Sequence, residues 1–229
     1  MNYLETLKGI FIDDGRYMYI LKGLLFSIEV TVLATVIGVV LGVVLALCRL
    51  SHFYPFKNKF NPLAKFALVY VDVIRGTPAV VQLMILANVV FVGSLRDVPI
   101  LVVAGLAFGL NSAAYVAEII RAGIEGLDKG QSEAAKALGM NYITTMKEII
   151  IPQAVRKILP TLVSEFISLL KETSIVGFIG GVDLLRSANI ITSQTYRGVE
   201  PLIAVGVIYL ILTSLFTKFM RTIEEKVKN

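Results

Sequence analysis

Long apolar runs, separated by short polar punctuation, set the pattern of this chain. Residues 24–48 read LLFSIEVTVLATVIGVVLGVVLALC, with Glu29 as the only charge. About 20 such residues cross the hydrocarbon layer as a helix, so the stretch predicts a transmembrane span. The same pattern predicts spans over roughly 22–48, 63–93, 98–123, 152–171 and 201–219. The second is too long for one straight crossing, and RGTP at 75–78 interrupts it. Gly76 and Pro78 break or kink a helix there, because proline lacks the amide donor and clashes with the preceding turn. Irregular backbone at membrane depth survives only where protein or a polar cavity surrounds it, so RGTP points to a cavity. The expected fold is all-α: a polytopic membrane protein of five transmembrane helices with a short cytoplasmic helix between the third and fourth.

Two GxxxG pairs, Gly38 with Gly42 and Gly105 with Gly109, suit close helix contacts. There is no long internal repeat and no linker-like stretch, so residues 1–229 read as one domain. The first residues, MNYLETLKGIFIDDGRYMY, mix charges of both signs and show no small-residue cleavage site. The first span is therefore expected to act as its own insertion signal.

Composition strengthens the membrane assignment. The chain is 56% hydrophobic and 17% charged, with a mean hydropathy of +0.77. Soluble domains run at about half apolar and a quarter charged. A net charge of +5 would suggest nucleic acid in a soluble protein. Here the basic residues flank apolar segments, so topology explains them and no nucleic acid is expected. Arg49, Lys57, Lys59 and Lys65, then Lys129, Lys136 and Lys147, then Lys218, Arg221, Lys226 and Lys228 mark one side. Lys8, Arg16, Lys22, Arg96, Arg186 and Arg197 mark the poorer side. The positive-inside rule puts the richer side in the cytoplasm, with the N-terminus outside and the C-terminus inside. Cys48, the single cysteine, excludes an internal disulfide and reads as packing. His52, the single histidine, lies in a polar loop, and no metal site forms around it.

Between the third and fourth spans lies GQSEAAKALGMNYITTMKEIIIPQ, residues 130–153. Ser132–Leu138 favours helix, with Glu133 expected in the first turn, and Gly139 ends or bends it. Ala134, Ala135 and Ala137 give it a slim surface able to seat in another protein's groove. The plainer alternative is an amphipathic helix lying at the membrane interface. No GxxxxGK[ST] phosphate loop occurs in the chain, so ATP, if it is used, must bind elsewhere.

Glu133-Ala134-Ala135, Gly139 and Ile149-Ile150-Ile151-Pro152 resemble the EAA loop of importer-type ABC transporter permeases. The resemblance is to the polar amino-acid group. Arg75-Gly76-Thr77-Pro78, Asn111-Ser112-Ala113-Ala114-Tyr115 with Glu118-Ile119, Gly130-Gln131, Pro152-Gln153-Ala154 and Lys171-Glu172-Thr173-Ser174 resemble further motifs of that group, in the same order. They cover about 70–220, with the EAA segment at about 130–152. The resemblance implies a prokaryotic cytoplasmic-membrane subunit that pairs with a second permease chain, identical or a sister. It implies two cytoplasmic ATPase subunits that hold ATP and magnesium, and an external substrate-binding protein. This chain itself would bind no cofactor and catalyse no reaction. Glu133, Ala134, Ala135, Leu138 and Gly139 would then couple to the ATPase.

Charged residues inside spans are expensive and read as functional by default. Arg75 and the broken turn at Gly76 and Thr77 suit a carboxylate. Asn111, Tyr115 and Glu118 share one helix face; Thr161, Ser164 or Glu165, Ser168 and Glu172 share another. With Ser112 beside Asn111, the two stripes and the broken helix are expected to line one cavity. Glu165 there would favour a cationic side chain: arginine, lysine or histidine. Simple pairing along one helix, Asp72 with Arg75 or Glu118 with Arg121, is the structural alternative. An ion-coupled secondary transporter is the rival function, since broken helices and buried charges suit it too.

Overall fold

The computed structural model describes residues 3–51 and 61–228, with side chains through Thr222 apart from Ser94. His52, Lys57 and Lys59, and the side chains of Lys226 and Lys228, lie outside them. The described chain is helical. Helix α1 (Tyr3–Phe11) leads through a tight turn into α2 (Tyr17–Leu50), a helix of 34 residues. α3 (Pro62–Arg75) starts on Asn61, whose side chain accepts from the Ala64 amide at 3.0 Å, with Pro62 in the first turn. α4 (Ala79–Ile85) extends through a π-helical turn at Leu86–Val90, and α5 (Ile100–Glu125) returns across the molecule. α6 (Lys129–Ala137) and the single turn α7 (Tyr142–Thr145) follow. A second π-helical turn, Met146–Ile150, feeds α8 (Ile151–Glu172). A 3-10 segment, Thr173–Ile179, then leads to α9 (Leu184–Thr195) and α10 (Val199–Lys228).

Among the described residues, three helices are long and apolar enough to cross a membrane: Asp13–Leu50, Ile100–Glu125 and Val199–Thr222. The α3–α4 pair, bent by 104°, makes a fourth if it counts as one span. The expected fourth span, 152–171, is α8. Its position is as expected, but Arg156, Lys157, Glu165, Lys171 and Glu172 lower its hydropathy too far for it to qualify. The helix at the chain's centre, α5, is the most enclosed, with 67% of its apolar window buried; α10 is peripheral, at 11%.

α2 and α5 pack along most of their length, and both GxxxG pairs serve that contact. A Cβ on Gly38 or Gly42 of α2 would stand 2.9 Å from Ser112 Cβ or 2.6 Å from Val116 Cβ of α5. Reciprocally, a Cβ on Gly105 or Gly109 would stand 2.4 Å from Leu33 Cδ2 or 2.7 Å from Ile37 Cβ. Absent side chains on each helix thus receive present ones on the other, which gives the dispersion contact that replaces hydrophobic drive in lipid. α3 and α8 flank the pair, and the Tyr70 hydroxyl donates to the Leu110 carbonyl at 2.8 Å to fix α3 on α5.

At the far end from α6, α9 packs on α2 and α10. The Ser187 hydroxyl donates to the Tyr19 carbonyl at 2.7 Å, and the Leu184 amide donates to Ser27 Oγ at 3.3 Å. Asp183 caps α9, accepting from the Leu185 amide at 2.9 Å through Oδ2. Its Oδ1 is buried with no hydrogen-bond partner among the described residues, as is the Tyr209 hydroxyl. Burial pushes the Asp183 carboxyl above its ordinary range, against the amides of Leu185 and Arg186, which pull it down.

Two outcomes test this architecture. Gly42→Ala should cost about 1–3 kcal/mol in detergent unfolding, by forcing α2 off Val116. Gly206→Ala on α10, where a Cβ meets nothing within 4 Å, should be neutral or better. At Asp183 the folded state holds its proton more tightly than the unfolded chain does. That contribution is complete at low pH and is lost as pH rises from about 4 through the elevated folded value. Melting curves across this range should therefore diverge, with Asp183→Asn gaining on the natural protein as pH rises; a constant difference would contradict the assignment.

Candidate functional site

The break in the second apolar segment comes from three consecutive residues. α3 stops at Gly76, whose amide still reaches the Asp72 carbonyl at 2.9 Å. A Cβ there would press on that same carbonyl at 2.8 Å. The Thr77 hydroxyl donates back to Val73 O at 2.9 Å, and Pro78 (φ −65°, ψ 135°) starts α4 in a new direction. The break leaves carbonyls without helical donors. The Gln82 carboxamide serves them: its Nε2 stands 2.8 Å from Ile74 O, 3.1 Å from Thr77 O and 2.7 Å from Thr77 Oγ1. Its Oε1 accepts from Asn111 Nδ2 at 2.9 Å. Asn111 is buried on α5, so the bent segment is clamped to the central helix by one amide pair. Gln82 was not among the sequence candidates. Its only signal is a lone amide in the apolar run AVVQLMI, one turn after Pro78.

Arg75, the last residue of α3, lies over the Tyr115 ring at 5.4 Å from its centroid. It faces a cavity of about 250 Å³ whose lining includes Tyr115, Glu118, Lys157 and Thr161. Glu118 is matched on both oxygens. Arg49 Nη1 donates to Oε2 at 2.6 Å, Arg121 Nε to Oε2 at 3.1 Å and Arg121 Nη2 to Oε1. Arg121 also pairs with Glu125. The structural alternative thus holds for Glu118 with Arg121, whereas Arg75 contacts Tyr115 instead of Asp72.

Glu165 lies on another side of α5. Ser112 Oγ donates to its Oε1 at 3.0 Å. Both residues line a separate crevice of about 290 Å³, walled by apolar residues that include Val116, Leu162, Phe166 and Phe216. Phe166 and Phe216 close it, ring centroids 5.0 Å apart. Ser164 is exposed and returns its hydroxyl to Pro160 O at 3.1 Å. The structure therefore divides the expected single cavity. Arg75, Tyr115 and Thr161 border one space, Ser112 and Glu165 the other; Asn111 and Thr77 belong to the clamp beside Gly76.

The helix of the EAA segment is α6. It begins earlier than the sequence suggests, at Lys129, because Asp128 accepts from the Gly130 amide at 2.9 Å. Glu133 consequently lies in its middle. The end is as expected: Gly139 has φ +77°, with Gly139 N bonded to Lys136 O and Met140 N to Ala135 O, both at 3.0 Å. Glu133, Ala134, Leu138 and Gly139 are exposed, with Leu138 at 81%, whereas Ala135 is buried against the protein. Two contacts tie this region to α8: Gln153 Nε2 donates to Gln131 Oε1 at 3.1 Å, and Lys157 Nζ to Gly126 O at 2.6 Å.

Comparison with known proteins fits this geometry. Residues 21–229 match the family described as binding-protein-dependent transport system inner membrane component. The putative glutamine transport system permease protein GlnP of Rickettsia bellii (strain RML369-C) is 39% identical, over 92% of this chain and 94% of its own. The arginine transport system permease protein ArtQ of Bacillus subtilis (strain 168) is 43% identical, over 92% and 93%. A crystal structure of an amino acid ABC transporter with histidines superposes with a TM-score of 0.85 at 40% identity, covering 99% of both chains. The chain belongs to the binding-protein-dependent transport system inner membrane component family, as a permease of the amino-acid ABC importer group.

Proposed function

We propose that this permease carries basic amino acids (arginine, lysine or histidine) inward by alternating access. Within an ABC amino-acid importer, the observation that carries the specificity is Glu165. It is a carboxylate walled mostly by apolar side chains, with a single neutral hydroxyl, Ser112, donating to it. A cationic side chain would complete that site, because a carboxylate in an apolar setting is stabilised by a charged donor far more than by a hydroxyl. The substrate carboxylate goes to Arg75, next to the broken turn at Gly76 and Thr77, and Tyr115 keeps the guanidinium in place. Asn111 and Gln82 hold the bend that presents Arg75.

The same reading supplies the machinery. The α6 end faces the cytoplasm, which leaves the N-terminus outside, as the lysine and arginine distribution supports. Two partner ATPase subunits bind ATP and magnesium and grip the exposed Glu133, Ala134, Leu138 and Gly139. Ala135 sets the seat of α6 from within. A second permease chain, identical or a sister, completes the path, and an external binding protein delivers the amino acid. Movement of α6 passes to α8 through Gln131–Gln153 and to the last turn of α5 through Lys157–Gly126.

Two measurements test this. In proteoliposomes with the partner subunits, Glu165→Gln should lower arginine uptake by roughly tenfold or more relative to glutamine uptake. An unchanged preference rejects the specificity. Gly139→Val places a β-branched residue at φ +77°, a strain of about 1–3 kcal/mol. ATP turnover should then persist while uptake falls; if both fall in parallel, α6 is not the coupling element.

A further inference from the structure

The cavity beneath Arg75 holds more positive charge than its architecture uses. Its one lining acid among the described residues, Glu118, already accepts from Arg49 and Arg121, so its single charge is shared among more cations than it balances. Arg75 makes its ring contact with Tyr115, and among the described residues no hydrogen bond or ion pair engages its guanidinium. Lys157 spends one donor on Gly126 O at 2.6 Å. Thr161 adds a hydroxyl to the same lining. At about 250 Å³ the space is below the roughly 300–1,000 Å³ of pockets for drug-sized ligands, so it admits a small ion or a free amino acid.

We infer that Arg75 and Lys157 together form a carboxylate-binding site that opens toward the α6 end, and that its occupancy loosens the junction between α5 and α6. This rests on the reading of Arg75 as the carboxylate partner and of the α6 side as cytoplasmic. The ligand class is a free α-amino acid, held by its carboxylate.

The junction is the reason occupancy matters. Gly126 ends α5 and Asp128 caps α6, so the two helices meet within three residues. The Lys157 ammonium sits against Gly126 so closely that a Cβ there would lie 2.8 Å from Nζ. Lys157 has donors to spare, but a carboxylate held at Arg75, the stronger ionised acceptor, draws its flexible side chain into the cavity and away from Gly126 O. α8 then releases the end of α5 and keeps its second hold on α6, Gln153 with Gln131. Solute on the release side is thereby reported to the helix that meets the partner, a direct route for product to slow its own import.

The test uses the full permease with its partner ATPase in lipid nanodiscs, without the binding protein. L-glutamine is the probe because its neutral side chain leaves Glu165 out, and L-glutaminamide, which lacks the carboxylate, is the control. Calorimetry should show glutamine binding that weakens by roughly tenfold in the amide and in Lys157→Gln, and that survives in Lys157→Arg. Glutamine should also change ATP turnover by the natural complex, and that response should vanish in Lys157→Gln. Equal binding of acid and amide, no binding, or binding indifferent to Lys157 overturns the inference. Uptake by the natural complex separates the two readings: a complex that imports amino acids yet binds glutamine without Lys157 rejects this site alone, and one that imports none rejects the proposed function.

Discussion

Every backbone polar group within a membrane must be satisfied from inside the protein, and this chain breaks a helix there all the same. The rest of the structure follows from how that break is tolerated. Gln82 places one amide nitrogen against the carbonyls of Ile74 and Thr77, and its oxygen is held by Asn111. The clamp thus serves carbonyls that the 104° bend deprives of full helical donors. Asn111 in turn has a fixed place only because α5 is locked to α2. The glycines of α2 accept Ser112 and Val116, the glycines of α5 accept Leu33 and Ile37, and neither helix can rotate without a clash. Arg75 is thus aimed by residues on three helices, most of them uncharged.

The division of charge between two spaces follows from the same lock. Asn111 and Ser112 are neighbours in sequence and point apart: one holds the bent segment, the other reaches Glu165 on α8. α8 lies along both spaces. Lys157, Ile158 and Thr161 border the Arg75 cavity; Leu162, Val163 and Phe166 border the apolar crevice. Glu165, one turn beyond Thr161, lies near the seam between these two faces. Glu165 and Arg75 are therefore approached from different sides of α5.

Much of this was legible in the sequence, and the boundary of legibility has a physical cause. Gly38, Gly42, Gly105 and Gly109 announced a tight helix pair because spacing alone encodes a glycine face. Gly139 announced the end of α6, and the break at Gly76–Pro78 was visible for the same reason: both are local backbone constraints. What stayed hidden depends on partners far along the chain. Gln82 reads as one amide in an apolar helix until Asn111 stands opposite it, 29 residues away. The shared stripe of Thr161 and Glu165 suggested one cavity because periodicity gives a residue's face and not its neighbour. The five-span count is left unconfirmed at α8 for a related reason. Charges that protein neighbours can shelter are counted by hydropathy as though they met lipid, and there the helix scores as polar.

The weakness of the ties at α6 is also informative. The helix itself is well made, with Asp128 at its start and a paired left-handed turn at its end, so it moves as a unit. Its holds on α8 are few and solvent-exposed: a side-chain amide pair and a lysine on a carbonyl at the adjoining end of α5. Hydrogen bonds of this kind contribute about 0.5–1.5 kcal/mol each. The buried lock between α2 and α5 resists far larger forces. Any push on α6 is consequently spent at its own junction before it disturbs the helix pair that aims Arg75. A rigid handle on a compliant joint beside a stiff frame lets α8, which borders both spaces, shift against α5 without dissolving the site that α5 supports.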